Sequence, residues 1–430
     1  MRNLCSVRVY VALAVAALLA PVAAAAPTRV AGCDAGSKGI RGVVLEYDPD
    51  APAKGVSVLF SKVTNPTAGL TKDGKLVPAQ VADAADDLAA FVKVFTDEYG
   101  VKRADIQLVG SAAFADPDSR AVLAEAVEKT TKLKMSFLSG DSEEARLTIE
   151  GLALLGKRSR GLVIDVGGGT SKGGIATGDG VTTFGLSFGS VSFANRVREA
   201  QKAKPGPFGE AAARVRDDEL LPAVRKALAG KPLASPAVAV TGGIAFACAT
   251  LLHPDQAGAP TVTLTLADFR TLIDRLGRDP LKFPQVDTMK ISDPTIRAKA
   301  EADVRTLRDI YNAENLLSGA TVVLAIGDEL KLDGKPLTFV RDAQYAWIVA
   351  RLVPETVKKA VDKGVDKGVD QEKPVGPQPV APPPMPPGGS LPPGGIVYPA
   401  YPGYGVWVSG PCCQPAPVAT GTRRFLFRRR

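Results

Sequence analysis

Val163-Ile164-Asp165-Val166-Gly167-Gly168-Gly169-Thr170 closes an apolar run on an aspartate and then turns on three glycines; Cys33-Asp34-Ala35-Gly36-Ser37 near the start of the chain likewise closes an apolar run on an aspartate and turns on glycine. An aspartate at the end of a buried strand, followed by a Gly-rich turn whose bare N–H groups face outward, is a cradle suited to a phosphate and its cation. Two such cradles about one domain length apart imply two lobes clamping a single anion.

The sequence around each cradle repeats the same order. Residues 30–33, 40–47 and 56–63 read as three strands of an antiparallel meander. Val81, Ala84, Leu88, Val92 and Phe95 then mark one face of a helix that Gly100 stops. A strand at 106–109, a helix capped by Asp118 and carrying Leu123 and Val127, a strand at 135–138 and a helix from about Ser142 with Ala145, Ile149, Leu152 and Leu155 inside complete the first half. The second half restarts with strands at 162–164, 173–176 and 181–186, the latter two joined through Gly178-Asp179-Gly180. Helical stretches at 193–201 and 211–228 follow, then a strand at 237–240 running into Thr241-Gly242-Gly243 and a helix. Helices at 266–276 and 294–317 close the globular part. The expected fold class is α/β, duplicated, with a cleft between halves.

The ends read differently. Arg2 and Arg8 precede an uncharged apolar stretch, residues 9–20, and Ala23-Ala24-Ala25 offers a small-residue cleavage site. That is the pattern of a secretory signal peptide, too short in its apolar part for a membrane span, and the chain is expected to be exported, to a periplasm. The expected domains are a signal peptide at 1–25, lobes at 26–156 and 157–353, and a linker with a Pro/Gly-rich tail at 354–430. The formal charge of +8 falls to +1 once Arg2, Arg8 and the five terminal arginines from Arg423 to Arg430 are set aside. No basic face for nucleic acid is indicated; the arginine-rich terminus is either a solvated charge run or a contact for an anionic surface. Cys33 reads as a strand residue, and the cysteine spacings build no disulfide framework. His253 is the sole histidine of the sequence, which excludes a His-rich zinc site and disfavours a Ser-His-Asp triad. The stretch from Gly69 to Lys75 nearly spells a P-loop, but Leu76 stands where Ser or Thr is required, so a surface turn is expected.

These residues carry a resemblance. Cys33-Asp34-Ala35-Gly36-Ser37 with Ile40-Arg41, the Gly69 to Leu76 segment, Ser139-Gly140 followed by Glu143-Glu144-Ala145-Arg146-Leu147, and Val163 to Thr170 occur in the order seen in the exopolyphosphatase and guanosine pentaphosphate phosphatase family. The similarity spans residues from about 29 to 350. It implies two actin-like, ribonuclease H-like domains and attack of water on a terminal phosphoryl group, with a metal ion assisting. On that reading Gly36, Ser37, Gly167, Gly168, Gly169 and Thr170 cradle phosphate, Asp34 and Asp165 hold Mg²⁺ through water, Glu144 is the catalytic base, and Thr241, Gly242 and Gly243 form a third loop near the far part of the substrate. Each residue also has a plainer reading: Glu143 and Glu144 as first-turn acids complementing a helix dipole, the aspartates as caps of tight turns.

The chain departs from the family pattern at three places. Lys38 stands for an asparagine, Phe114 for an arginine and Lys172 for a glutamate. Lys38 and Lys172 occupy matching positions beside the two cradles, and an ammonium group is a point charge suited to phosphate, so both are expected to bind phosphate and to replace the cation in part, unless they point to solvent. Two functions follow: an exported phosphohydrolase of polyphosphate or a related phosphoanhydride, or a degenerate polyphosphate- or nucleotide-binding module. A kinase on the same fold fits an ATP-poor periplasm poorly.

Overall fold

The structure, a computed structural model, describes residues 26–359 apart from 37–38, 52–54, 65–70, 73–74, 77, 112–113, 115, 156–160, 178–179 and 278–280. The expected signal peptide, Ser37, Lys38, Gly178-Asp179 and the tail past residue 359 lie outside the described residues.

The first sheet has strand order β3-β2-β1-β6-β7. β1 (Thr28–Gly36), β2 (Gly39–Tyr47) and β3 (Val56–Thr64) form the antiparallel meander, and β6 (Ile106–Gly110) and β7 (Met135–Phe137) run parallel to β1. The near-P-loop segment pairs as a small antiparallel ladder of β4 (Thr71–Lys72) with β5 (Lys75–Leu76), a hairpin rather than a strand-to-helix loop. The second sheet repeats the order as β10-β9-β8-β11-β13-β12. Here β8 (Leu162–Val166), β9 (Ser171–Thr177) and β10 (Gly180–Leu186) are the meander, and β11 (Val238–Thr241) lies parallel beside β8. β12 (Thr261–Leu264) and β13 (Leu337–Val340) extend it. Neither of these two strands is expected from the sequence.

Helices α1 (Pro78–Asp97) and α2 (Pro117–Thr131) cover one face of the first sheet, where Leu88, Phe95, Leu108 and Leu123 are wholly or almost wholly buried. The cap of α2 is Asp116, whose side chain accepts from the Ser119 N–H at 2.9 Å, and not Asp118 as expected. Pro117 is the reason: lacking an N–H it fits the first helical position, which puts the cap one residue earlier. The expected helix at 211–228 is α5 (Phe208–Val215), a wider π turn at Arg216–Leu220, and α6 (Leu221–Leu228). The widening sits just ahead of Pro222, which cannot donate to a carbonyl one turn back.

The expected helix at 294–317 is two. α9 (Pro294–Ile310) ends at Tyr311, which is extended, and Asn312 caps α10 (Ala313–Glu329) by accepting from the Asn315 N–H at 2.8 Å. Earlier in the chain come α4 (Ser190–Ala203), α7 (Gly242–Leu252) and α8 (Leu266–Leu276), which with α10 enclose the core of the second lobe around Phe193, Leu264, Phe269 and Phe339.

The two lobes meet through α3 (Asp141–Leu154) and α11 (Ala346–Leu352). Ile149 and Leu152 of α3 pack with Val163, Ala239 and Val340 of the second sheet and with Ala343 and Ala346. From Tyr345 onward the chain returns to the first sheet: Trp347, Ile348, Val349, Leu352, Val353 and Val357 pack against Val30, Val43, Leu45 and Val109. Each such large apolar side chain contributes about 1.5–3 kcal/mol by leaving water. The first lobe is therefore built from both ends of the described chain. Gly151 makes the α3–α11 contact possible, since a Cβ there would overlap the Ala346 carbonyl.

Candidate functional site

The two cradles are the same device twice. In the β1–β2 ladder Asp34 stands directly across from Arg41; in the β8–β9 ladder Asp165 stands directly across from Lys172. Cross-strand neighbours approach closely enough for opposite charges to pair. The Arg41 guanidinium reaches Asp34 Oδ2 at 2.5 Å. Lys172 Nζ lies 3.3 Å from Asp165 Oδ2 and 2.7 Å from Oε1 of Glu144, which arrives on the first turn of α3. The structural counterpart of Lys172 is therefore Arg41, seven residues past its aspartate as Lys172 is past Asp165, and the expected match of Lys172 with Lys38 is corrected. Lys172 is 5% exposed and does not point to solvent.

Gly36, Arg41, Glu144, Asp165, Gly167, Gly168, Gly169, Thr170, Lys172, Gly242 and Gly243 line one cleft, together with Ser111, Thr148, Tyr311, Gln344 and Trp347. Asp34 lies behind Arg41, with no exposure, and its Oδ1 has no hydrogen-bond partner. Thr241 is likewise buried, its hydroxyl unpartnered, one residue behind the lining glycines. Phe114 is a core residue, edge-on to Phe137 at 6.2 Å between centroids, and belongs to the wall beneath the first sheet.

The glycine loop is held from behind. The Ser190 N–H donates to the Gly167 carbonyl at 2.9 Å and the Val191 N–H to the Gly168 carbonyl at 2.8 Å, while the Ser192 hydroxyl donates to the Gly169 carbonyl at 2.7 Å. With these carbonyls anchored on the start of α4, no backbone carbonyl among the described residues accepts from the N–H groups of Gly168, Gly169 or Thr170. Fixed, unspent donors of this kind form an anion nest. Thr170 also hydrogen-bonds the Asp141 side chain.

The third loop needs its glycines for space. Gly242 has φ +85°, and a Cβ on it would collide with the Asp165 carboxylate and lie 2.8 Å from the Val166 carbonyl. A Cβ on Gly243 would overlap the Tyr311 hydroxyl. The α9–α10 break thus delivers Tyr311 to the cleft. Sequence reading missed Tyr311, Ser111, Thr148, Gln344 and Trp347 as cleft residues, and Asp141 as the partner of Thr170. Arg41 was present in the first motif without a role, and the shared seven-residue offset is the signal that could have supplied one.

Burial raises the Asp34 carboxyl to about 6 despite the opposing pull of Arg41. Burial also raises Asp141, against Lys172 and the Thr170 hydrogen bond. Tyr311 is pushed up to about 12 by burial, with Asp165 adding to the shift and Arg41 opposing it, so its hydroxyl stays protonated. Burial alone would lower Lys172, but Glu144 and Asp165 outweigh it and hold the ammonium charged.

A carboxyl whose pKa is raised on folding binds its proton more tightly in the folded state. Its contribution to stability is full below the unfolded value of about 4 and is lost as pH rises through about 6. Asp34→Asn should therefore gain stability relative to the parent between pH 4 and pH 7 in urea titrations. A stability difference that does not change with pH would contradict this account of Asp34.

A Mg²⁺ ion on Asp34 and Asp165 fits these residues poorly. Among the described residues no cluster of three or more His, Cys, Asp or Glu side chains is arranged to hold a metal. Arg41 already takes Asp34 Oδ2, and Lys172 stands against both Glu144 and Asp165. A divalent ion about 4 Å from that ammonium would be repelled by about 8 kcal/mol at an effective dielectric constant of 20.

No curated protein matches the chain by sequence. Among solved structures, the Aquifex aeolicus PPX-GPPA enzyme matches at 18% identity and a TM-score of 0.53, covering 76% of this chain and 100% of that one. An exopolyphosphatase from Cytophaga hutchinsonii matches at 15% identity and a TM-score of 0.52, covering 76% and 99% respectively. An exopolyphosphatase-like protein reaches a TM-score of 0.54 at 16% identity, covering 76% and 97%. At these identities the likeness speaks for the actin-like fold, which the two sheets of the present chain share. The profile of the Ppx/GppA phosphatase family matches residues 60–291, more than half the chain, with part of each lobe, the second glycine loop and Glu144 inside it. The chain belongs to the Ppx/GppA phosphatase family.

Proposed function

We propose that the chain is a phosphohydrolase that removes the terminal phosphate from polyphosphate or a related phosphoanhydride. The observation that carries this reading is convergence: two aspartate-cation hairpins, a nest of free N–H groups and one glutamate from a helix tip open on the same cleft. The terminal phosphate sits on the Gly168 to Thr170 donors, and Lys172 and Arg41 balance its charge. A phosphate oxygen that takes over Lys172 frees the Glu144 carboxylate to accept a proton from water. That water's oxygen bonds to the terminal phosphorus, the bridging P–O bond breaks, and the shortened chain leaves with the electron pair.

Incubated with tripolyphosphate, long-chain polyphosphate or guanosine pentaphosphate, the purified protein should release orthophosphate from the chain end. Release from none of the three overturns the reading. The second function, binding without turnover, is favoured by one observation: the Glu144 carboxylate is tied to a buried ammonium at 2.7 Å. Tight binding of tripolyphosphate without phosphate release would select it. Export remains part of the proposal, supported by Arg2, Arg8 and the apolar stretch that follows; an N-terminus of the mature protein that still carried those residues would remove it.

A further inference from the structure

We propose that Lys172 takes the place a divalent cation would need between Glu144 and Asp165, so that this cleft grips phosphoanhydrides with its own cations and requires no metal to do so. The inference rests on the phosphoanhydride reading above.

Lys172 is bracketed by carboxylates from two different elements, α3 and β8, and its side chain is only 6% exposed. An ammonium group carries three hydrogens. Two face Glu144 and Asp165; the third is left for an anion on the cleft side, where Lys172 forms part of the lining. The group therefore does what a bridging cation does: it holds two acidic side chains at a fixed separation and presents positive charge to the substrate.

The arrangement is duplicated in the first lobe. Arg41 covers Asp34 from the same cross-strand position and also lines the cleft. A terminal phosphate on the glycine loop would lie in a cleft bearing one fixed cation from each lobe. Both cations are placed by strand register, which does not depend on any ion in solution.

The test is a calorimetric titration of tripolyphosphate into the full chain, once with Mg²⁺ and once with EDTA. The dissociation constants should agree within about threefold, because the cations that matter are part of the protein. Lys172→Met should weaken binding by about 10- to 100-fold, as expected for loss of a charge-assisted contact, and Lys172→Arg should recover most of it. Lys172→Glu would gather three carboxylates around one point and should create binding of Mg²⁺ alone, which the parent lacks. Tripolyphosphate binding by the parent that disappears in EDTA, or full-strength binding by a folded Lys172→Met, overturns the inference and leaves the phosphohydrolase reading standing. Absence of tripolyphosphate binding in either buffer overturns both. Should Lys172→Met fail to fold, the comparison of the parent with and without Mg²⁺ decides alone.

Discussion

Glu144→Gln should lower phosphate release from tripolyphosphate by about 10²- to 10⁴-fold, the range that a positioned proton acceptor contributes. The substitution keeps the shape of the side chain and removes its charge, so the rest of the first turn of α3 is left in place. It also replaces the nearer charged partner of Lys172, at 2.7 Å, by a neutral amide, while Asp165 remains at 3.3 Å. An ammonium group with one carboxylate fewer is more available to phosphate. Tripolyphosphate should therefore bind the variant as tightly as the parent, or more tightly. This split separates a proton acceptor from a structural acid, whose loss would damage binding and turnover together. Phosphate release within about threefold of the parent would remove Glu144 from the chemistry.

Asp303→Ala is expected to cost about 3–5 kcal/mol of stability, the typical penalty for removing one partner of a buried ion pair. Asp303 on α9 is 5% exposed, and its Oδ2 accepts from Arg341 Nη1 at 2.7 Å. Lys299, one turn earlier on the same helix, pairs with its other oxygen. Arg341 is 9% exposed and spends its remaining donors on the carbonyls of Ala259 at 3.0 Å and Gln256 at 3.2 Å. Without Asp303 the guanidinium stays buried with carbonyls only, which do not balance its charge. The effect should extend to the cleft, because Arg341 opens the turn that carries Gln344 into the cleft wall and leads into α11 with Trp347. A double variant, Asp303→Leu with Arg341→Met, should regain much of the loss by replacing two charges with apolar volume. Urea denaturation of the three proteins measures this; a loss below about 1 kcal/mol for Asp303→Ala would mean that the pair is solvated.

The parts of the site that could be read in the sequence are those coded locally. A strand that ends on aspartate and turns on glycine announces itself within eight residues, and two such segments, in order with the Gly69 to Leu76 and Ser139 to Leu147 segments, sufficed for the family and the duplicated α/β fold. The direction of Lys172 was not readable, because a four-carbon stem can reach solvent or cleft from the same backbone. What decides is the arrival of Glu144 on α3 against β9 and β10, a tertiary contact that no local pattern encodes. Tyr311 was hidden for another reason. The apolar period of α9 continues into α10, and a single asparagine marks the break that swings the phenol into the cleft. Arg41 was in plain view, seven residues past its aspartate as Lys172 is past Asp165, and the ladder register shows that the two are equivalent.

The return of residues 345–357 to the first sheet has a consequence for how this protein is made. The surface bearing Val30, Val43 and Leu45 is formed by the earliest described strands; Leu147 and Leu154 of α3 cover part of it, and residues 345–357 complete the covering. A nascent chain thus carries a partly uncovered apolar sheet until residues 345–357 have been made. The half that is translated first completes its core only then, and such late closure of a distant contact slows folding and leaves the unfinished chain prone to misassociation.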